Sequence, residues 1–385
     1  MSLPQVSQLH TPPGMIDFGI GQPGFELLPL EEIRQAADRA LSHGNAACLN
    51  YGFEQGDENL RAYLASFLSN QYKMPVDLDE LFITNGVSIA LDLLCTLYTK
   101  PGDTIFVEEP TYYLALRIFS NHQLNIVSVA TDEHGLVDAD LREKLTLHQP
   151  VFLYTVPVFQ NPTGTTLSSS RREIIVSLAQ RYGFYIIADE VYQLLGYTGE
   201  PPLPLASFLD TGWVIALGSF SKILAPGLRL GWLHAPPPVM DRLTSCGLLE
   251  SGGGLNPFTS SIVSGFIESG WLLENIIRLR EEFQHRKNSL VNELSKQLGG
   301  AVSFMEPDGG YFLWLAFAET IDMNNLHRQA TRNNISWLPG GVCVPSGRCM
   351  NYGRFCFAHY GSETLVEGVS RLAALVHDYN NSVRK

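Results

Sequence analysis

The sequence predicts an α/β protein: a largely parallel sheet covered by helices on both faces, followed by a smaller α+β region. Three patterns carry this expectation. From about residue 104 to 235, short apolar runs alternate with helical segments, the order that gives parallel strands joined by helical crossovers. An amphipathic pattern then runs from Trp271 to Leu298, with Ile276, Leu279, Phe283, Leu290 and Leu294 near helical spacing, and it is expected to bridge two domains. Beyond it lie four strand-like runs, 302–305, 311–317, 336–338 and 354–358, and a closing helical segment at 365–378.

The 385 residues can bury a sizeable core without disulfides, and 45% hydrophobic against 17% charged residues is globular composition. A formal charge of −13 with no clustered Lys/Arg excludes a phosphate-backbone grip, so nucleic acid is not an expected partner. Cys48, Cys95, Cys246, Cys343, Cys349 and Cys356 form no C-x-x-C pair, which argues for reduced thiols and against a zinc ribbon, a thioredoxin motif or a disulfide framework, and no metal ligand is expected. Residues 1–14 have neither a basic start followed by an apolar run nor an Arg-rich amphipathic pattern, and no long apolar run follows. The expectation is a cytoplasmic protein with no membrane span.

Taken in order, Gly19-Ile20-Gly21-Gln22-Pro23-Gly24 matches G-x-G-x-x-G. Pro23 falls where the dinucleotide helix should begin, and Ser42-His43-Gly44 stands where a ribose-binding carboxylate is required. The better reading is a tight loop that brings backbone close to a ligand, backed by a helix over Leu30–Ser42, although a simple turn fits the spacing equally. Tyr51 sits in a glycine-flanked loop, and Leu60, Tyr63, Leu64, Phe67 and Leu68 mark one face of a helix. A strand at Leu81–Thr84, the turn Asn85-Gly86-Val87-Ser88 and a helical run through Ile89, Leu93, Leu94 and Leu97 make an anion site of the kind any β-α unit offers.

The strands expected next are 104–108, 125–129, 151–156, 184–188, 213–217 and 228–234, and polar residues gather at their ends. Tyr112 follows the first, Asn161-Pro162-Thr163-Gly164 the third, and Asp189 and Tyr192 the fourth. Each has another reading taken singly: core packing for Tyr112, turn opening for Asn161, a helix cap for Asp189. In Ser219–Gly231, the hydroxyls of Ser219 and Ser221 precede Lys222, and Arg229 follows seven residues later. An amine nucleophile beside three phosphate-binding groups suggests a covalently held, phosphorylated cofactor. Ser251-Gly252-Gly253-Gly254 reads as a mobile active-site loop.

The strings Phe159-Gln160-Asn161-Pro162-Thr163-Gly164, Asp189-x-x-Tyr192, Gly218-Ser219-Phe220-Ser221-Lys222 and Arg229-x-Gly231-Trp232 occur together in this order. With them the chain resembles, over nearly its whole length, the fold-type I pyridoxal-phosphate-dependent aminotransferases, nearest the 2-aminoadipate, kynurenine and aromatic subgroup. That resemblance implies a large domain with a mostly parallel seven-stranded sheet (45–270) and a small α+β domain made of 1–44 and 271–385. It implies Lys222 as the Schiff-base lysine and proton carrier, Asp189 as the partner of the pyridine nitrogen, Tyr192 and Asn161 on the ring oxygen, and Tyr112 on the ring face. It assigns the phosphate to Gly86, Val87, Ser88, Ser219, Ser221 and Arg229. The chain departs from the subgroup with Gly86-Val87-Ser88 where Gly-Ser-Gln is commoner, so one hydroxyl contact fewer is expected. The substrate carboxylate goes to Arg354 with Gly21 and Asn161. The implied substrates are an amino acid and a 2-oxo acid, in a homodimer whose partner subunit receives Tyr51. Rival readings are a β-lyase or decarboxylase of the same fold and a ligand-sensing domain.

Overall fold

The computed structural model describes residues 11–42, 46–199, 202–347 and 349–383. His43 and Gly44, and residues 1–10 of the opening segment, lie outside the described residues.

A large sheet takes its strands in the order Leu81–Thr84, Gly231–His234, Val214–Ser219, Tyr185–Asp189, Phe152–Thr155, Thr104–Glu109, Asn125–Asp132 and Gly135–Leu136. Pairing is parallel from 214–219 across to 125–132, because helices such as Ser169–Tyr182 carry the chain from one strand to the next. The sheet has eight strands where seven are expected. After Asp132 the chain turns back through Gly135, whose φ of +91° suits glycine, and pairs for two residues with Thr131 and Asp132. The strand expected at 228–234 begins only at Gly231, since Arg229 adopts a left-handed conformation (φ 48°) that ends any extended run.

Strand 231–234 runs antiparallel to both of its neighbours. Residues 220–230 are too few for a crossover helix, so the chain can only turn back on itself. That turn carries Lys222. Its flanks are locked by a close approach: a Cβ on Gly218 would lie 2.0 Å from Cε2 of Trp232 on the next strand.

A second sheet orders Val302–Ser303, Phe312–Phe317, Tyr352–Cys356 and Leu338–Pro339, all antiparallel. The helix Trp271–Leu298 forms over the predicted span, buries Ile276, Leu279, Phe283, Leu290 and Leu294, and packs along the closing helix Ser362–Val383. Ile16–Asp17 pairs in parallel with Ile335–Ser336, which brings the N-terminal segment onto the C-terminal part of the chain. Arg286, 2% exposed, fastens the same segment: it reaches Glu26 at 2.8 Å, Glu282 at 2.6 Å and the Ala358 carbonyl at 3.0 Å. The 251–254 stretch differs from its reading as a mobile loop. Ser251 and Gly252 end the helix Gly247–Gly252, and Gly254 then bonds the Gly52 carbonyl at 3.0 Å, tying that stretch to the Tyr51 loop. Among the described residues no helix is long and apolar enough to cross a membrane.

Gly218→Ala is expected to destabilise the protein by about 1–3 kcal/mol through overpacking. Gly227→Ala, where nothing lies within 4 Å of the new Cβ, should stay within about 0.5 kcal/mol. Urea denaturation of both variants measures the difference.

Candidate active site

The site is built where the carboxyl ends of the parallel strands meet the N-terminal loop. Ser219 ends its strand and caps the short helix Phe220–Ile223, accepting from the Ser221 amide at 3.1 Å, and Lys222 sits in that helix. The Lys222 ammonium donates to the Gly21 carbonyl at 2.6 Å, and its own carbonyl accepts the Tyr311 hydroxyl at 2.7 Å. The Tyr311 ring lies 5.4 Å from the amine. Burial, reinforced by the positive fields of Arg354 and Arg229 against the opposing pull of Cys356 and Asp189, brings the amine down to about 8. It is thus nearer to a nucleophile at neutral pH than an exposed lysine is.

Two residues before Gly21, the Gly19 carbonyl accepts from Nη2 of Arg354 at 2.8 Å, while Nη1 donates to Oδ1 of Asn161 at 2.8 Å. Arg354 is 3% exposed, its guanidinium lies 4.1 Å from the Phe312 ring, and its buried Nε has no partner. Gly21 tolerates nothing larger without a shift, since a Cβ there would meet Phe312 at 3.2 Å and Arg354 at 3.5 Å. The two glycines of the N-terminal loop therefore present alternate carbonyls to two cations.

Asp189 closes its strand, 4% exposed, and its Oδ2 accepts the Tyr154 hydroxyl at 2.7 Å from the neighbouring strand. Its Oδ1 is buried without a partner. Burial raises the carboxyl to about 6, against the Tyr154 hydrogen bond, the nearby Val191 amide and the charge of Lys222. Tyr192, 2% exposed, packs 5.4 Å from the Tyr311 ring and 6.0 Å from Phe312. Tyr112 is half-buried beside Tyr113, and burial pushes both phenols up.

A second group of residues gathers at the helix Val87–Tyr98. Gly86 precedes it with φ +83° and no side-chain cap, leaving the first-turn amides of Val87 and Ser88 without intrahelical partners. A Cβ on Gly86 would stand 2.9 Å from Nη2 of Arg229. Arg229 is exposed and loosely held, 3.5 Å from the Ser221 hydroxyl, 3.3 Å from the Pro226 carbonyl and 3.4 Å from the Asn85 carbonyl. Helix amides, a hydroxyl and a guanidinium with spare donors suit a phosphate.

The structure thus joins Lys222, Gly21, Arg354 and Asn161 by hydrogen bonds, sets Asp189 and Tyr192 around them, and gathers Gly86, Val87, Ser88, Ser219, Ser221 and Arg229 beside them. Tyr51 stands apart, 82% exposed on its loop. Tyr154, Tyr311 and Phe312 are contacts that the sequence reading does not single out. Tyr154 carried a signal, because a tyrosine inside a buried apolar strand needs a partner for its hydroxyl. Tyr311 and Phe312 carried none.

The family described as aminotransferase class I and II matches residues 13–372. An aromatic-amino-acid aminotransferase of Thermococcus litoralis is 32% identical, over 94% of this chain and 88% of its own. Among solved structures, a multiple substrate aminotransferase from Thermococcus profundus superposes with a TM-score of 0.89 at 32% identity, covering 96% of this chain and 93% of its own. The α-aminoadipate aminotransferase of Thermus thermophilus, complexed with N-(5'-phosphopyridoxyl)-L-leucine, gives 0.88 at 28% identity, covering 97% and 95%.

Two measurements on the protein without cofactor follow. Lys222 should react with a small aldehyde with a midpoint near pH 8, at which about a tenth of it is free amine at pH 7. A midpoint near 10.5 would contradict its burial. The folded Asp189 carboxyl binds its proton more tightly than the unfolded one, so its contribution to stability falls as pH rises from about 4 to 6 and stays low above. Asp189→Asn, which does not titrate, should therefore gain on the order of 2 kcal/mol over the parent at pH 7 and little at pH 4, measured by urea denaturation.

Proposed function

The chain belongs to the class I and II aminotransferases, and from that premise we propose that it moves an amino group between an L-amino acid and a 2-oxo acid by a ping-pong mechanism on pyridoxal 5'-phosphate. The observation that carries this reading is the pair of carbonyls, Gly21 on the Lys222 amine and Gly19 on the Arg354 guanidinium. An amine chemist and a carboxylate clamp held two residues apart on one loop match a substrate that bears both groups on one carbon. The donor is aromatic, 2-aminoadipate-like or broadly chosen, and the rings of Phe312 and Tyr113 against Arg354, with Tyr112 beside Tyr113, support the aromatic choice.

The residues present also fit the cofactor. The partnerless Oδ1 of Asp189 is an acceptor awaiting a donor, which a protonated ring nitrogen would supply. The phosphate would be held by Ser219, Ser221, Arg229, Gly86 and the amides of Val87 and Ser88. When bound, the cofactor supplies the aldehyde that takes the amino group and the ring that accepts the electron pair left at Cα. Lys222 would take the Cα proton and deliver it to the carbon on the far side of the amino nitrogen, the work of a general base whose pKa lies close to the operating pH. Asp189 keeps the ring nitrogen protonated by its charge. Arg354 binds the α-carboxylate, oriented by Gly19 and Asn161. Asn161 gives its amide oxygen to Arg354, so its NH2 is the group that donates to the ring oxygen, alongside the Tyr192 hydroxyl.

Tyr51, Phe53, Leu49 and Leu248 are 82%, 68%, 68% and 59% exposed. An exposed apolar set on the 49–53 segment and the helix Gly247–Gly252 supports a homodimer in which Tyr51 serves the partner subunit.

Incubated with single amino acids and no 2-oxo acid, the protein should convert about one equivalent per site and stop, read as a change in the visible absorbance of the cofactor. Sustained turnover would identify a lyase or decarboxylase, and no change over a broad panel a ligand-sensing domain. Lys222→Ala should lower turnover by about 10²–10⁴-fold or more. Sedimentation should give a dimer, and a monomer would remove the role of Tyr51.

A further inference from the structure

Behind the site lies a buried carboxylate that the reaction does not use. Glu108, 1% exposed, is the penultimate residue of the strand Thr104–Glu109, and three donors converge on it: the Thr155 hydroxyl at 2.6 Å, the Val156 amide at 3.0 Å and the Gln160 side-chain amide at 3.2 Å. Burial raises it to about 7, even with those bonds pulling the other way. A buried acid satisfied by three donors from a single segment ties its own strand to the segment that leads to Asn161.

Gln160, 2% exposed, extends the tie on both sides. Its NH2 also reaches the Pro110 carbonyl at 2.7 Å, two residues before Tyr112. Its Oε1 accepts from the Thr163 amide at 2.9 Å and the Thr163 hydroxyl at 2.8 Å, and its backbone carbonyl from the Gly164 amide at 2.7 Å, closing the turn around Asn161. Asn161 then meets Arg354. An unbroken chain of hydrogen bonds and backbone therefore runs from Glu108 through Gln160 to the loops of Tyr112 and Asn161.

We propose that Glu108 is a positioning residue, which through Gln160 holds the Tyr112 and Asn161 loops in register so that Asn161 orients Arg354 for the substrate carboxylate. The proposal rests on the reading of Arg354 as the carboxylate clamp. Geometry rather than charge is what matters here. A neutral group at 108 keeps the lattice, because the Thr155 hydroxyl can reverse and accept while the other oxygen still receives Val156 and Gln160.

The test compares Glu108→Ala, Glu108→Gln and Gln160→Ala in the full-length protein. Glu108→Ala and Gln160→Ala should raise KM for the amino acid at least about tenfold with kcat changed less, as expected when a positioned group drifts by a fraction of an ångström. Glu108→Gln should restore KM to near the parent value. Amide hydrogen exchange, followed by mass spectrometry without cofactor, should quicken at 110–113 and 160–165 in the two alanine variants but not in Glu108→Gln. If Glu108→Ala does not fold, Gln160→Ala carries the same measurement with Glu108 in place. Unchanged exchange and KM in folded Gln160→Ala, or a Glu108→Gln protein as impaired as Glu108→Ala, would overturn the proposal. Faster exchange in a protein that transaminates nothing would instead uphold the link and refute the role given to Arg354.

Discussion

The site depends on two cations, a buried Arg354 and a half-buried Lys222, drawn against two backbone carbonyls. Arg354 and Lys222 belong to distant parts of the chain and are brought within reach of one loop, where Gly19 and Gly21 each offer a carbonyl. A carbonyl dipole offsets only part of the cost of taking a full charge out of water, which is several kcal/mol per ion. Among the described residues Arg354 bonds a carbonyl and an amide oxygen, both neutral, and keeps a buried Nε unpaired. A guanidinium so placed is under-compensated, and a carboxylate is the group that would relieve it. Binding strength is thus stored in the folded protein as unsatisfied charge, and the absence of side chains at 19 and 21 is what allows it.

The same tension appears with the opposite sign under the sheet. Asp189, Glu108 and Glu190 are all buried and all pushed up, to about 6, 7 and 7. Each is handled differently. Glu190 faces Arg172, itself lowered to about 10 by burial and bonded to the carbonyls of Leu167, Leu203 and Pro157. Glu108 is saturated by neutral donors. Only Asp189 keeps an oxygen without a partner, and only Asp189 lies at the strand end beside Lys222. Three acids of similar burial are therefore separated by their partners: two have their oxygens met within the protein, and Asp189 keeps one oxygen open.

Strands and helices were legible in the sequence where hydrophobic period decides them, as at Trp271–Leu298 and Leu81–Thr84. Boundaries failed where a single backbone conformation overrides the apolar pattern. Leu228 and Leu230 look like strand residues, but Arg229 between them is left-handed. The glycines at 251–254 look unstructured, yet two of the four residues end a helix and Gly254 docks on Gly52. Strand order was not legible at all, since it is set by crossovers between distant segments. The residues to which chemistry is assigned stand out in the sequence because their types and spacing are demanding. Supporting contacts were mostly missed, because Tyr311, Phe312 and Glu108 read as ordinary strand residues until their partners arrive from elsewhere in the fold.

The location of Lys222 follows from the shortness of 220–230. A parallel continuation from Ser219 would have required a crossover helix and carried the next residues away over one face of the sheet. The tight return instead keeps Ser219, Ser221, Lys222 and Arg229 at one end of the strands. There Thr84 and Gly231 pair in register and Gly86 admits the guanidinium. The ring of Trp232 over Gly218 locks the flanking strands together, so the turn emerges from a rigid pair rather than from a free loop. A phosphate gripped by residues on both sides of this turn would hold a ligand at fixed distance from the lysine inside it. The antiparallel strand Gly231–His234, set beside the parallel run of the sheet, is thus the feature that keeps Lys222 and Arg229 on one short turn.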